Sequence, residues 1–344
     1  MTHLKIKRIV SLILTICVVF ASSSYVKAYE DDYPDASNTS LSQTNMDLYI
    51  TDGYGASGSV ELINAPDLYE YYFDYECSNA SLRFSCYLDV TTKVISFYVS
   101  GAGSGRVTFT LNNKELYLDL KVYKVSINKN SLLVVHKKSA TLKVKGCSNS
   151  VNWCTNNKKI ATVSSKGVVK GKKIGNALIY TKLGDGYLGC AVSVVSKKMK
   201  KVISKAYSLK KGKYSQARRM QKGYYDCSSL VWRSYKKAKI YLGNRYYAPV
   251  AADLARYYVK KKKRIKGGYS KNNVAKMKLR PGDLFFCEGQ KNGRYRGIYH
   301  VEMLTGYRCL GIDSTGKATV VVKWATAPDD YYMKAKGLMV RPVK

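Results

Sequence analysis

The chain has 344 residues, a formal net charge of +36, and 31 tyrosines against 7 phenylalanines. That length favours two or three compact domains over one, and a hydrophobic share of 46% allows them buried cores. Tyrosine at this frequency leans toward β structure and toward surfaces that contact polar polymers. Three histidines and no Cys-x-x-Cys pair leave little from which to build a structural zinc site, and nothing implies a cofactor.

Residues 1–28 have the form of an export signal. Lys5, Lys7 and Arg8 give a basic start, Ile9 to Ala21 is apolar, and Val26-Lys27-Ala28 is an acceptable cleavage site. The apolar run is shorter than the roughly 20 residues a membrane span needs, so no transmembrane anchor is expected after cleavage. Cys17 follows Ile16, which is too large for a lipoprotein signal. Residues 29–45 are polar and aperiodic and are expected to be a flexible leader.

Residues 46–125 hold short apolar runs broken by Gly, Asn and Asp, including Val107-Thr108-Phe109-Thr110-Leu111, Asn112-Asn113 and the alternating stretch Leu116 to Val122. This predicts a small β-sandwich. Residues 126–196 give seven short β-type runs, at 132–135, 140–144, 151–153, 161–163, 167–169, 177–180 and 190–194. Thr141-Leu142-Lys143-Val144, Val151-x-Trp153, Ile160-Ala161-Thr162-Val163-Ser164, Lys166-Gly167-Val168-Val169 and Ile174 to Ile179 make this segment resemble a bacterial Ig-like domain of group 2. Gly105-Arg106-Val107-Thr108-Phe109 echoes Gly175 to Ile179, which makes 46–125 a divergent second copy. The lysine-rich stretch 197–213 reads as a basic linker.

Charge divides along the same boundaries. Residues 29–125 carry 14 acidic and 6 basic side chains, a net of −8, whereas 126–196 carry 1 and 12 and 197–344 carry 8 and 37. A basic exported protein suits a polyanion. Anionic wall polymers such as teichoic acids are nearer to it than nucleic acid, which is not an expected partner. Lysines that merely keep the chain soluble account for the charge equally well.

Residues 214–344 carry the chemistry. In Tyr225-Asp226-Cys227-Ser228-Ser229-Leu230-Val231 the apolar residues 230, 231, 235 and 238 fall at helical spacing. Asp226 or Ser228 can cap that helix, which puts Cys227 at its N-terminus, where free N–H groups and the dipole favour a thiolate. Such a thiolate needs a base that later protonates the leaving amine, and nearby N–H groups can supply part of an oxyanion hole. His136 lies among the Ig-like strands, so the base is expected to be His300, in the β-type run Gly297 to Leu304. Between them a Pro-Gly turn feeds the apolar run in Arg280-Pro281-Gly282-Asp283-Leu284-Phe285-Phe286.

Those three blocks, Asp226 to Val231, Arg280 to Phe286 and His300-Val301-Glu302-Met303, resemble the NlpC-type cell-wall cysteine peptidases, a papain-like group. The resemblance implies an α+β domain, so that the whole chain is expected as Ig-like sandwich domains followed by a papain-like one. It implies a secreted, wall-associated endopeptidase that cuts peptidoglycan stem peptides, commonly after a γ-D-glutamyl residue, with Cys227 as nucleophile and His300 as base. Asp226 matches the position that holds the free amine of the substrate's L-alanine. Ser228 lies beside it, and Tyr224 and Tyr225 are expected to line the same pocket. The family places His, Asn or Gln on the next strand as a third catalytic residue; here Asp313 is the nearest candidate. Two alternatives remain open: a peptidoglycan amidase or cross-bridge peptidase, and a non-catalytic wall- or surface-binding protein with a decayed peptidase domain.

Overall fold

The computed structural model describes residues 33–343 apart from 52, 69, 70, 113 and 149. The expected signal and the first four residues of the expected leader lie outside the described residues. The rest of that leader departs from expectation. Ala36 and Thr39 are buried, Asn112 Nδ2 donates to Pro34 O at 2.7 Å, and Ser40–Leu41 pairs antiparallel with the strand Ala56–Ile63. An apolar alanine among polar residues was too weak a sign of this docking.

Residues up to 124 form a β-sandwich of two four-stranded sheets. Their inward positions follow the period of 2: in Lys114–Lys124 the residues Leu116, Leu118, Leu120 and Val122 are all buried. Phe109, Phe97, Ile95 and Leu82 fill the space between the sheets.

The second β domain follows without a linker, since Val125 N donates to Ile50 O of the first. Its larger sheet contains β1 (Ser131–Val135), β2 (Gly175–Leu183) and β3 (Gly186–Val195), with β1 parallel and β2 antiparallel to β3. A three-stranded sheet covers one face of it. Each of the seven runs expected from the sequence overlaps a strand, although 140–144 is split between Ser139–Thr141 and Val144–Lys145, and 151–153 reaches a strand only at Trp153.

The expected basic linker is a helix, α1 (Lys197–Leu209). Ser196 caps it by accepting the N–H of Met199. Met199, Val202, Ile203, Ala206 and Leu209 form a buried stripe at helical spacing. The lysines occupy the opposite face, and their number masked the periodicity. α1 packs in one core with α2 (Cys227–Lys236) and α3 (Ala251–Lys260).

These helices, with the short α4 (Lys271–Ala275), flank a four-stranded antiparallel sheet of β6 (Leu284–Glu288), β7 (Ile298–Ile312), β8 (Ala318–Trp324) and β9 (Gly337–Val340). The spatial order is β8-β7-β6-β9. Two short strands before α2, β4 (Lys213–Tyr214) and β5 (Tyr224–Tyr225), run parallel to each other. At the turn into β6, Arg341 grips Asp283 with two hydrogen bonds, Nε to Oδ1 at 2.8 Å and Nη2 to Oδ2 at 2.7 Å. Gly282 has φ +95°, and a Cβ there would meet the Tyr235 hydroxyl and Met199, so this turn requires glycine.

The Ig-like domain and the α+β domain share a core. Leu178 and Ala191 cluster with Tyr307, Cys309, Phe285 and Trp324. Buried Asn176 donates to Met277 O at 2.8 Å and Leu279 O at 2.6 Å and accepts from Ser193 Oγ. Cys309 N donates to Asn130 O.

Candidate active site

Cys227 is the first residue of α2, and Asp226 is its N-cap. Asp226 Oδ1 accepts the Ser229 N–H at 2.6 Å while Ser229 Oγ accepts the Asp226 N–H at 2.9 Å, a reciprocal capping box. This fixes the backbone on both sides of the cysteine. Behind it, Leu230, Val231, Trp232 and Tyr235 are fully buried and lock the helix against β7.

The backbone N–H of Val301, the residue after His300, is near enough to the Cys227 thiol to favour its ionised form. The helix that begins with Cys227 thus packs against the strand that carries His300. Asp226 lies close enough for its charge to act on both, raising the thiol pKa and favouring the protonated imidazole. His136 is elsewhere, half-buried in the Ig-like domain with its Nε2 against Lys172 O.

The protonation balance differs from the simple helix-terminus expectation. Burial pushes the Cys227 thiol above its usual value, and the Asp226 charge adds to this. The N–H groups of Val301 and Ser228 and the Tyr214 hydroxyl pull the other way without prevailing. Burial also lowers His300 below the usual imidazole value. Both shifts favour the pair as thiol and neutral imidazole at neutral pH.

Two tyrosines that sequence reasoning left without a role complete the site. Tyr214, on β4, interacts with both the thiol and the backbone N–H of Cys227; burial and the neighbouring sulfur push its pKa up to about 12. Tyr332 places its hydroxyl 3.0 Å from His300 Nε2, with the two ring centroids 5.8 Å apart. Tyr332 is itself held by Phe285, Trp324 and Tyr331. Neither could be singled out among 31 tyrosines, because Tyr332 lies in the turns after β8, far from any motif.

Asp313 is not brought to His300. It sits just past the far end of the 15-residue β7, exposed, and its Oδ1 accepts hydrogen bonds from Thr315 N, Thr315 Oγ1 and Lys317 N. It is a turn residue that closes the hairpin between β7 and β8. The expected spacing failed because β7 runs on well beyond the catalytic end of the sheet before it turns.

Asp226 and Ser228 are both buried and already engaged. Arg219 Nη1 lies 3.1 Å from Asp226 Oδ2 and 3.0 Å from Ser228 Oγ, and Nη2 binds Ala248 O. The pocket expected to offer a bare carboxylate to an amine thus holds a guanidinium. Tyr225 is half-buried against Tyr214, and Tyr224 lies under Arg218 at 4.2 Å; both flank this side of the site. Glu302, two residues beyond His300, is buried and accepts from Thr326 Oγ1, Ala327 N and Met303 N. Burial raises its pKa.

Among the described residues no helix is long and apolar enough to cross a membrane, and no group of His, Cys, Asp and Glu could hold a metal ion. No curated protein matches the chain. Among solved structures it is similar to invasin, a bacterial integrin-binding protein, at 11% identity and a TM-score of 0.32 over 48% of this chain, and it spans 40% of that one. A 282-residue C-terminal fragment of intimin, solved with the intimin-binding domain of its translocated receptor, gives 16% identity and a TM-score of 0.32 over 67% of this chain and 84% of that one. Family models match in two places, the bacterial Ig-like domain (group 2) over residues 121–189 and the NlpC/P60 family over residues 210–323. The chain therefore carries a bacterial Ig-like domain of group 2 followed by a domain of the NlpC/P60 family, a group of papain-like cell-wall peptidases.

Proposed function

We propose that this chain is an exported cysteine endopeptidase that hydrolyses a γ-D-glutamyl–diamino acid bond in peptidoglycan stem peptides. The observation that carries this reading is the thiol of Cys227, at the capped start of α2, set against the backbone beside His300. His300 Nε2 is taken by Tyr332, which leaves Nδ1 to receive the thiol proton as sulfur attacks the amide carbon. In this scheme the tetrahedral oxyanion falls to the Cys227 N–H and the Tyr214 hydroxyl, which neighbour each other and the thiol. His300 then gives its proton to the departing amine. Water, deprotonated by the same imidazole, splits the thioester and restores the thiol.

Tyr332 orients His300 in this scheme. A phenol is neutral, so unlike a carboxylate it fixes the ring without holding the imidazolium charge. The test is digestion of purified peptidoglycan with mass spectrometry of the fragments, alongside Cys227→Ala. New amino termini at diamino acid residues, absent with the variant, are expected. Equal fragments from both proteins, or none from either, would rule the reading out.

A further inference from the structure

We infer that the junction between the Ig-like domain and the α+β domain holds a second ligand site, a recess flanked by Arg308, Lys323 and Lys210 that binds a phosphate-type oxyanion. It lies on the hairpin of β7 and β8, toward the end of β7 remote from His300. In the register of the two strands Gly306 stands opposite Lys323, and Arg308 opposite Val321. Residues paired across an antiparallel ladder share a face, as do residues two apart on one strand. Arg308 and Lys323 are therefore diagonal neighbours on one side of the sheet, and the position beside both is a glycine. Gly306 is buried, yet beyond its chain neighbours a Cβ there would meet only Ser193 Oγ of β3, at 3.7 Å. The face thus has an unfilled space next to two cations.

The end of α1 brings the third cation. Lys210, its C-cap, sets its ammonium 5.2 Å from the ring centre of Tyr207. The Tyr207 hydroxyl donates to Thr305 Oγ1 at 2.9 Å, and Thr305 Oγ1 donates to the Lys323 carbonyl at 3.0 Å. Asp329 answers these cations with one negative charge, its Oδ2 lying 2.9 Å from Arg308 Nε. That nitrogen is shut off from solvent, and Asp329 is close to it without the geometry of a hydrogen bond. Among the described residues no hydrogen bond or ion pair reaches the half-buried Lys323 ammonium. Burial and the charge of Arg308, with that of Lys210, hold its pKa below the usual lysine value; Asp329 and Cys190 act the other way without prevailing.

Crowded cations that are partly removed from water destabilise the fold, and a bound anion relieves them. Phosphate suits these donors better than a carboxylate does. A phosphate monoester carries a charge of roughly −1.5 to −2 and three strong acceptor oxygens. It can serve a guanidinium and two ammonium groups at once, through charge-assisted hydrogen bonds. The site is separate from the Cys227 chemistry and is read by binding, so it stands or falls independently of the peptidase reading.

The experiment melts the full chain in increasing sodium phosphate, with sodium chloride holding the ionic strength constant. A saturating rise in melting temperature is expected; exclusion of phosphate from the protein surface would give a steady rise without saturation. Lys323→Met should weaken the apparent affinity on the order of tenfold, the worth of one hydrogen bond to a charged group, while Lys323→Arg retains it. Lys210→Ala, at an exposed position, should weaken it in the same direction and serves as the test should the Lys323 variants not fold. A wild type with no saturating rise overturns the inference, as does an affinity unchanged in every variant that removes a cation and still folds. Glycerol phosphate and a glycerol phosphodiester, run beside inorganic phosphate, separate the sources of the ligand. Binding of inorganic phosphate and the monoester alone supports a site for a small phosphate compound. Binding of the diester as well supports the same oxyanion site with a phosphodiester chain as its occupant.

Discussion

The Tyr332 hydroxyl lies 3.0 Å from His300 Nε2, although 32 positions separate them in the chain. A wall of aromatic rings, Phe285, Trp324 and Tyr331, fixes the phenol from behind. The imidazole therefore has one nitrogen engaged before any substrate arrives.

Tyr332→Phe keeps the ring packing and removes this hydrogen bond. It is expected to lower kcat by roughly three- to tenfold, the worth of one net hydrogen bond, with KM little changed. Tyr332→His should retain more activity than the Phe variant. Steady-state kinetics on a fluorogenic stem peptide checks this; an unaltered kcat for the Phe variant would show that the phenol serves packing alone.

The pH profile expected of the proposed peptidase follows from burial of both Cys227 and His300. His300 titrates below its usual 6.5 and the Cys227 thiol above its usual 9.0. The working form, neutral imidazole with thiol, is populated between these limits. The kcat/KM curve should rise with a midpoint below 6.5 and stay level past 9.0. Alkylation of the free enzyme by iodoacetamide should accelerate into alkaline solution. A rate already on its plateau at about pH 6 would instead indicate a preformed ion pair, as low-pKa cysteines give.

Arg341→Met leaves the Asp283 carboxylate, 1% exposed, without its cation. Stability should fall by roughly 3 kcal/mol in urea unfolding, as for other broken buried pairs. The sign of the pH response is fixed by burial, which raises the Asp283 pKa. Without Arg341 the native state takes up the proton more readily than the unfolded chain, so the loss should shrink as pH falls. A loss that grows on acidification would contradict this account.

Asn176→Ala strands two carbonyls, that of buried Leu279 and that of half-buried Met277, at a cost of about 1–3 kcal/mol. Because the shared core joins the Ig-like and catalytic domains, they should unfold together. Trp153 reports on the first, and Trp232 and Trp324 on the second. Fluorescence melts of single-tryptophan variants are expected to coincide in the otherwise wild-type chain, with the Asn176→Ala midpoints shifted down together. Separate melts in the unmodified core would refute a single cooperative unit.

The Ig-like strands and the helix after Cys227 were legible because each rests on local patterning, alternation in one case and helical spacing in the other. The place of Cys227 at the head of a helix and of His300 on a strand was legible because motif blocks surround them. α1 was hidden although Met199, Val202, Ile203 and Ala206 recur at helical spacing, since composition spoke louder than period. The partner of His300 depends on where β7 ends and how the chain returns, which is set by tertiary packing. The state of Asp226 was equally illegible: nothing local joins Arg219 to it, and the bare motif reads the same with or without a guanidinium in place.

Asn176 and the residues packed around it bear on how the enzyme would work on a solid substrate. A catalytic head on a tether can sweep over a surface and sample many orientations of each strand. Here the Ig-like domain shares a core with the α+β domain, so the proposed site has a set bearing relative to anything that grips the Ig-like domain. Immobilised through its Ig-like face, the enzyme would cut only those wall strands that run past it at the right angle and height, as a plane set in its block takes only the wood that stands proud.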